Sequence, residues 1–168
     1  MLEERNVSNT KNREDGVDDA PELGMRPELV QILFVCVHNS GRSQMAEAWF
    51  NHLAMRRHIA ISAASAGTKP ATAVQPLVAR AMAERGLDIS LKIPRLLTDE
   101  MVGSAGKVVT MGCGIDSDSC PSIRYKNSSD WNLQDPSKMS IEEIRILRDQ
   151  IRDEVEKLLT YLTRPVAT

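Results

Sequence analysis

The sequence predicts an α/β fold: a single domain in which a four-stranded parallel sheet is flanked by helices on both faces. Short apolar segments of strand length alternate along the chain with longer segments whose apolar residues recur at helical spacing. This alternation is typical of a parallel sheet covered on both faces, where ligands bind at the carboxyl ends of the strands. The length of 168 residues and the hydrophobic content of 42% suit one buried core and are too small for two ordinary domains.

The first strand and helix are predicted on either side of a short polar loop. Residues 32–35 are branched or aromatic, which is typical of a buried strand, and they run into a loop over residues 36–42. From Ser43 onward, apolar positions recur at helical spacing, and they are Met45, Ala46, Trp49, Phe50 and Leu53. The order strand, tight loop and helix is therefore predicted.

A second unit of the same kind follows. Residues 59–63 are predicted to form a short strand that leads to a Ser-Ala-Gly segment at residues 65–67. A helix is predicted over residues 76–85, because proline favours a first helical position and Gly86 ends the apolar pattern.

The second half of the chain completes the sheet. We predict a brief helix at residues 99–102, a third strand at 107–111 and a fourth, weaker strand at 123–125. Ser140 and Glu143 have the spacing of a capping box at the start of a terminal helix. An apolar stripe runs along that helix through Ile144, Leu147, Ile151, Val155, Leu158 and Leu159.

Charge and composition exclude several classes of partner. The formal net charge of −2 gives no electrostatic reason to expect nucleic acid or an anionic membrane. Residues 1–28 are dense in charged and polar groups and lack the apolar core of a signal peptide, so we expect a disordered N-terminal extension before a domain at 29–165. The most hydrophobic segment, 32–37, is only strand-length. A cytoplasmic monomer is the resulting expectation.

The segment Cys36-x5-Arg42-Ser43 predicts an anion-binding loop with a nucleophile. A loop that curls at a helix N-terminus directs backbone N–H groups and the positive end of the helix dipole towards a tetrahedral oxyanion. Gly41 permits the bend, and the fork of Arg42 can hold two anion oxygens. The same field favours the thiolate form of Cys36, which is the competent nucleophile. The predicted substrate-binding residues are Val37, His38, Asn39, Ser40, Gly41, Arg42 and Ser43.

Other polar residues in this region each allow two interpretations. Ser40 and Ser43 can donate hydrogen bonds to the thiolate, or Ser43 can be a plain N-terminal helix residue. His38 is a candidate general base, but a solvent-facing side chain is favoured. His52 and His58 have no cysteine or carboxylate neighbours at metal-ligand spacing, so no metal is predicted.

Four motifs occur in a characteristic order: CVHNSGRSQMAE at residues 36–47, Ser-Ala-Gly at 65–67, Asp-Ile-Ser at 88–90 and Asp-Pro at 135–136. Together they resemble the arsenate reductases of the low-molecular-weight protein tyrosine phosphatase-like family. The resemblance spans residues 29–162, implies that phosphatase-like fold, and gives Asp135 the role of proton donor to the departing oxygen. The alternative is an aspartate that fixes a turn before proline.

The three cysteines decide between the activities that the resemblance allows. In isolation each would be interpreted as buried apolar filler. The resemblance to three-cysteine reductases implies instead a disulfide relay in which Cys113 attacks the Cys36–arsenic adduct and Cys120 exchanges into the disulfide. No cofactor is expected to be bound, and thioredoxin is the expected external reductant, with mycothiol or glutaredoxin as alternatives. A low-molecular-weight protein tyrosine phosphatase or a redox sensor remains the rival interpretation.

Overall fold

The computed structural model describes residues 32–112 and 127–165. Its strands are β1 (Ile32–Cys36), β2 (Ala63–Gly67), β3 (Lys107–Thr110) and β4 (Ser128–Asp130). Its helices are α1 (Arg42–Arg56), α2 (Pro76–Ala83), α3 (Asp99–Ser104) and α4 (Ile141–Leu162). The strands lie in the order β2-β1-β3-β4 and every neighbouring pair is parallel, which confirms the predicted sheet. The predicted boundary between a tail at 1–28 and a domain at 29–165 falls outside the described residues.

Strand β1 is the centre of the molecule, because helices cover both of its faces. All five of its residues are at most 3% exposed. Ile32, Phe34 and Cys36 belong to the hydrophobic cluster that includes α1, α2 and α4. Leu33 and Val35 point to the opposite face and pack in a smaller cluster with α3. The alternation follows from the two-residue period of a strand, and it confirms that helices lie on both faces.

The prediction for the second strand was wrong in position. Residues 59–62 precede β2, and the strand itself is Ala63–Gly67. Branched residues such as Ile59 and Ile61 pack against the core from the preceding loop, where they imitate a strand pattern. The actual strand begins where the side chain of Asn51 binds both the N–H and the carbonyl of Ala63, at 2.9 and 3.0 Å.

The strand β2 needs small residues for a steric reason. A Cβ added at Gly67 would lie 2.6 Å from the carbonyl oxygen of Val37, because the end of β2 approaches the loop after β1. Small side chains therefore let this edge strand sit against the loop, although they give a weak propensity signal for a strand.

The remaining predictions for secondary structure differ in detail. Strand β3 ends one residue before the predicted 107–111, while helix α3 extends beyond the predicted 99–102 and is capped by Thr98. The fourth strand is Ser128–Asp130, whereas the predicted segment 123–125 lies outside the described residues. This polar strand is held by its ladder with β3 and by a 2.6 Å hydrogen bond from Thr110 Oγ1 to Asp130.

Helix α4 is anchored to α2 by a group of ion pairs. The predicted capping box is present, with Ser140 and Glu143 bonding each other's backbone N–H. Further along, Arg148 is 3% exposed and donates to the carbonyl oxygen of Ala81 at 2.8 Å and to Glu84 at 3.1 Å. Arg145 also donates to Glu84. The hydrogen bond from Arg145 is the main reason that the pKa of Glu84 is lowered from 4.5 to about 2, with Arg148 adding to it.

No helix in the described part of the chain combines the length and the apolar composition that a membrane crossing requires.

Replacing Glu84 by Gln should make the α2–α4 contact less sensitive to acid. Because the pKa of Glu84 is depressed in the fold, its carboxylate stabilises the folded state above pH 4.5, and this contribution is lost as the pH falls towards 2. We expect Glu84→Gln to be less stable than the wild type near neutral pH, with the difference shrinking below about pH 4. Urea unfolding across this range measures it, and a difference that does not depend on pH would contradict the assignment.

Candidate active site

The loop of residues 37–41, between β1 and α1, forms the centre of the candidate site. We call it the nucleophile loop, because it follows the candidate nucleophile Cys36. It lies at the carboxyl ends of the parallel strands, where ligands bind in open α/β sheets. Cys36 is the last residue of β1 and is 3% exposed. Asn39, Ser40 and Gly41 are also buried, whereas His38 is exposed. The loop therefore turns most of its polar atoms inward, at the start of a helix.

Two hydrogen-bond donors reach the sulfur of Cys36. The backbone N–H of Asn39 donates to Sγ at 3.2 Å, and Ser43 Oγ lies 2.9 Å from Sγ. The side-chain amide of Asn39 donates to that same Ser43 oxygen at 2.8 Å. Because this donor occupies an acceptor position of Ser43, the hydroxyl proton is free to point at Sγ. The backbone N–H of Asn39 and the hydroxyl of Ser43 thus both supply hydrogen bonds to this sulfur.

Of the two serines considered from the sequence, only Ser43 contacts the sulfur among the contacts that the structure gives. Ser40 is turned towards α2: its Oγ accepts from the side chain of Gln75 at 3.4 Å, and its carbonyl accepts from the Gln75 N–H at 2.9 Å. Ser40 thus fixes the loop to the start of α2. The sequence did not indicate that Ser43 contacts the sulfur while Ser40 contacts Gln75, because both serines lie in the same short segment.

Asn39 organises the loop through its backbone as well as its side chain. Its φ is 49°, in the left-handed region, which asparagine tolerates better than most residues. Its Oδ1 accepts from Gln44 Nε2 at 3.1 Å and from the backbone N–H of Arg95 at 2.9 Å. These two donors determine which way the amide faces, so that its N–H2 group is directed at Ser43.

Arg42 connects this loop to the ends of two other strands. It is 5% exposed, and its Nη1 donates to the carbonyl oxygens of Met111 at 2.5 Å and Leu133 at 2.9 Å. The backbone at Gly112 passes close by: φ there is +86°, and an added Cβ would lie 2.5 Å from the Leu133 carbonyl. Sequence reasoning missed Gly112 and Leu133, because only the folded chain brings them to Arg42.

Asp135 lies in a turn that touches the nucleophile loop. It is exposed and accepts a 2.9 Å hydrogen bond from the Ser137 N–H, as the N-cap of a short 3-10 helix, Pro136–Lys138. The Cγ of Pro136 lies 2.8 Å from the position of a Cβ added at Gly41. The turn therefore brings the Asp-Pro segment against the loop, so the turn-fixing interpretation and a catalytic one are compatible.

The other polar residues considered from the sequence take different places. The exposed ring of His38 has its Nδ1 3.1 Å from the carbonyl oxygen of Lys69, in agreement with the solvent-facing interpretation. Cys113 and Cys120 lie outside the described residues. Among residues 32–112 and 127–165, no group of three His, Cys, Asp or Glu side chains could hold a metal ion.

A cavity opens beside the nucleophile loop. Its volume is about 490 Å³, and His38 and Ser40 form part of its lining. Pro136, Ser137 and Met139 also line it, and α2 contributes its first turn. No Phe, Tyr or Trp is among the described residues that line it. Among the described residues, the lining therefore offers apolar, hydroxyl and imidazole groups but no phenyl, phenol or indole ring against which a planar substrate could stack.

Comparison with known proteins gives consistent matches. The family model for the low molecular weight phosphotyrosine protein phosphatase matches residues 31–168. An arsenate reductase of Brevibacillus brevis is 35% identical over 127 residues, which is 75% of this chain and 91% of that protein. A glutaredoxin arsenate reductase of Synechocystis is 30% identical over 138 residues, covering 80% of this chain and 100% of that protein.

Two solved structures with this fold belong to enzymes of different activity. The thioredoxin-dependent arsenate reductase of Corynebacterium glutamicum is 37% identical with a TM-score of 0.61, over 78% of this chain and 60% of that chain. The arginine phosphatase YwlE is 26% identical with a TM-score of 0.71, over 79% of this chain and 95% of that chain. The fold alone thus does not separate a reductase from a phosphatase.

Replacing Ser43 by Ala should slow the reaction of Cys36 with iodoacetamide, because a hydrogen-bond donor to the thiolate is lost. We expect a decrease of roughly tenfold near pH 6, the effect of one hydrogen bond to a charged group. Ser40→Ala is the matched control and should react like the wild type, since Ser40 contacts Gln75 instead. Equal slowing in both variants would show that the loop is disturbed in general.

Proposed function

This chain belongs to the low molecular weight phosphotyrosine protein phosphatase family, and from that premise we propose that it is an arsenate reductase. The observation that carries the proposal is the nucleophile: a buried Cys36 held by donors at the mouth of a parallel sheet, in a chain with two further cysteines after β3. The relatives named arsenate reductase at 30–35% identity support the same activity.

The proposed first step joins sulfur to arsenic. The Cys36 thiolate attacks the arsenic of a bound arsenate, and one oxygen departs as water after protonation by Asp135. Backbone N–H groups of residues 37–43 and the guanidinium of Arg42 bind the remaining oxygens. The carbonyl contacts of Arg42 are made by Nη1, and a guanidinium carries further N–H donors on Nε and Nη2 for the oxyanion.

The second step transfers two electrons to arsenic. The Cys113 thiolate attacks Cys36 Sγ, so that a disulfide forms while the sulfur–arsenic bond breaks and its electron pair leaves with arsenic as arsenite. Cys120 then attacks Cys113, which frees Cys36 and leaves a Cys113–Cys120 disulfide. Support for Cys113 comes from the sequence, where it directly follows Gly112, a residue whose backbone lies close to Arg42.

An external thiol must reduce the final disulfide. We propose thioredoxin, because a thioredoxin-dependent arsenate reductase is 37% identical to this chain. Glutaredoxin is an alternative reductant, because one relative of this chain is a glutaredoxin arsenate reductase. Mycothiol is a third candidate reductant. A monomer suffices for the proposed chemistry, because the sequence of one chain supplies all three cysteines of the relay.

A phosphatase is the second candidate, since Cys36, Arg42 and Asp135 would also serve phosphoryl transfer. The family description and the arginine phosphatase structure favour it. Against it stand the two additional cysteines, for which phosphate hydrolysis has no use, and a cavity whose described lining includes no Phe, Tyr or Trp.

Variants of the three cysteines should separate the two candidates. In a single turnover without reductant, we expect no arsenite from Cys36→Ser or Cys113→Ser, and nearly one equivalent from Cys120→Ser, because the third thiol acts only after arsenite leaves. With an added thioredoxin system, Cys120→Ser should lose multiple turnover. Arsenite formation that survives Cys113→Ser would contradict the relay, and hydrolysis of p-nitrophenyl phosphate as fast as typical phosphatases would favour the second candidate.

Replacing Asp135 by Asn should lower the arsenate kcat by about a hundredfold, the usual effect of losing a general acid. The rate of Cys36 alkylation should stay unchanged, because Asp135 acts on the leaving oxygen rather than on the thiol. Asp153→Asn, an exposed carboxylate on α4, is the control. An unchanged kcat in Asp135→Asn would restrict Asp135 to its turn with Ser137.

A further inference from the structure

A buried carboxylate lies behind the nucleophile loop, and the proposed chemistry does not use it. Glu47 is on α1 with its side chain 8% exposed. Ser65 Oγ donates to its Oε2 at 2.5 Å, and Lys92 Nζ lies 2.5 Å from its Oε1. Arg95 Nη2 is further away, at 4.0 Å. A buried carboxylate needs such partners, because its charge is costly to remove from water.

Lys92 and Arg95 belong to one extended segment, residues 91–96, which we name the strap. The end of the strap pairs with the last residue of β2: the Gly67 N–H donates to the Arg95 carbonyl, and the N–H of Leu97, just after the strap, donates to the Gly67 carbonyl, both at 2.8 Å. The N–H of Arg95 donates to Asn39 Oδ1 at 2.9 Å. The strap is therefore in direct contact with the residue that organises the nucleophile loop.

Apolar burial contributes little to holding the strap in place. Leu91 is 90% exposed, Ile93 is 76% exposed and Leu96 is 58% exposed, and within the strap only Pro94 is buried. Polar contacts must therefore hold the strap in place, whereas buried apolar side chains hold other segments of the fold. Two ion pairs to Glu47 join the strap to helix α1, and the one from Lys92, at 2.5 Å, is much shorter than the one from Arg95, at 4.0 Å.

We propose that Lys92 is a positioning residue for the Cys36 nucleophile. Its ammonium group holds the strap against Glu47, so that the Arg95 N–H stays on Asn39 Oδ1. The amide of Asn39 then keeps its N–H2 group on Ser43, and the Ser43 hydroxyl stays free to donate to Cys36. The chain of contacts starts at a residue that never touches the sulfur or the substrate.

Loss of the ammonium group should affect Asn39 for a further reason. Removing one partner of a buried charge leaves the other uncompensated. Arg95 Nη2, 4.0 Å from Glu47, is then drawn towards the carboxylate, and the same residue supplies the backbone N–H that orients Asn39. The expected result is a mobile amide at Asn39 and a weaker donor at Ser43.

The test measures the thiol itself. In the full chain carrying Cys113→Ser and Cys120→Ser, Cys36 is the only cysteine, so iodoacetamide reports on it alone. Compared with this parent, Lys92→Met should react roughly tenfold more slowly near pH 6 and within about twofold near pH 9.5, a pH at which an ordinary cysteine thiol is ionised without help from a donor. Lys92→Arg should restore the rate. Lys157→Met is the control, because Lys157 is 72% exposed on α4.

Alkylation of Lys92→Met at the parent rate near pH 6 would overturn the proposal. So would an equal slowing at both pH values, which indicates a blocked sulfur rather than a lost donor. Thermal unfolding verifies that each variant is folded. If Lys92→Met does not fold, the double variant Glu47→Gln/Lys92→Met, which removes both charges, serves as the test. Slow alkylation of this variant near pH 6 supports the proposed role of the strap, and alkylation at the parent rate overturns it.

The inference deepens the proposed function, and only its prediction for arsenate turnover rests on that function. In the chain with all three cysteines, Lys92→Met should lower kcat/KM for arsenate by about the same tenfold as it lowers alkylation. If the wild type fails to reduce arsenate while the alkylation results hold, the proposed function fails and the role of Lys92 stands. If the wild type reduces arsenate but Lys92→Met is alkylated at the parent rate, the role of Lys92 is rejected and the proposed function stands.

Discussion

The sulfur of Cys36 lies at the end of a buried strand and has to find its hydrogen-bond donors within the protein, and this requirement shapes the molecule. Cys36 is almost completely buried, so water does not supply these hydrogen bonds. The donors come from the Asn39 N–H and from Ser43, and both depend on a backbone turn through the left-handed region at Asn39. The loop is therefore a preorganised binding site for charge rather than a flexible connection.

The parallel sheet gathers the rest of the site around that sulfur. Because β1, β3 and β4 end at the same edge, the carbonyl groups of Met111 and Leu133 meet Arg42 there. The Asp-Pro turn packs on Gly41 from the other side. Such a site binds a tetrahedral oxyanion by geometry and charge, which phosphate and arsenate share. What distinguishes a reductase is the supply of additional thiols, and this chain has two besides Cys36.

The errors in the sequence interpretation have physical causes. Ile59 and Ile61 imitate a strand because they pack from a loop onto the core, whereas the real β2 is built of small residues that let it approach the nucleophile loop. Strand β4 is polar and is stabilised by its ladder and by Asp130, so propensity gave no reason to expect it there. Lys92 has no motif of its own, and its importance follows from meeting Glu47, far away in sequence.

The sequence by itself determined the alternation of strands and helices and the position of the loop between β1 and α1, and it singled out Cys36 as the candidate nucleophile. Those features depend on local spacing: a strand, a glycine-containing turn, an arginine and a helix in immediate succession. Only the tertiary structure decided that Ser43 rather than Ser40 meets the sulfur, that Arg42 reaches the ends of β3 and β4, and that the strap contacts Asn39. These contacts join residues that lie tens of positions apart, and their geometry exists only once the sheet has brought the strand ends together.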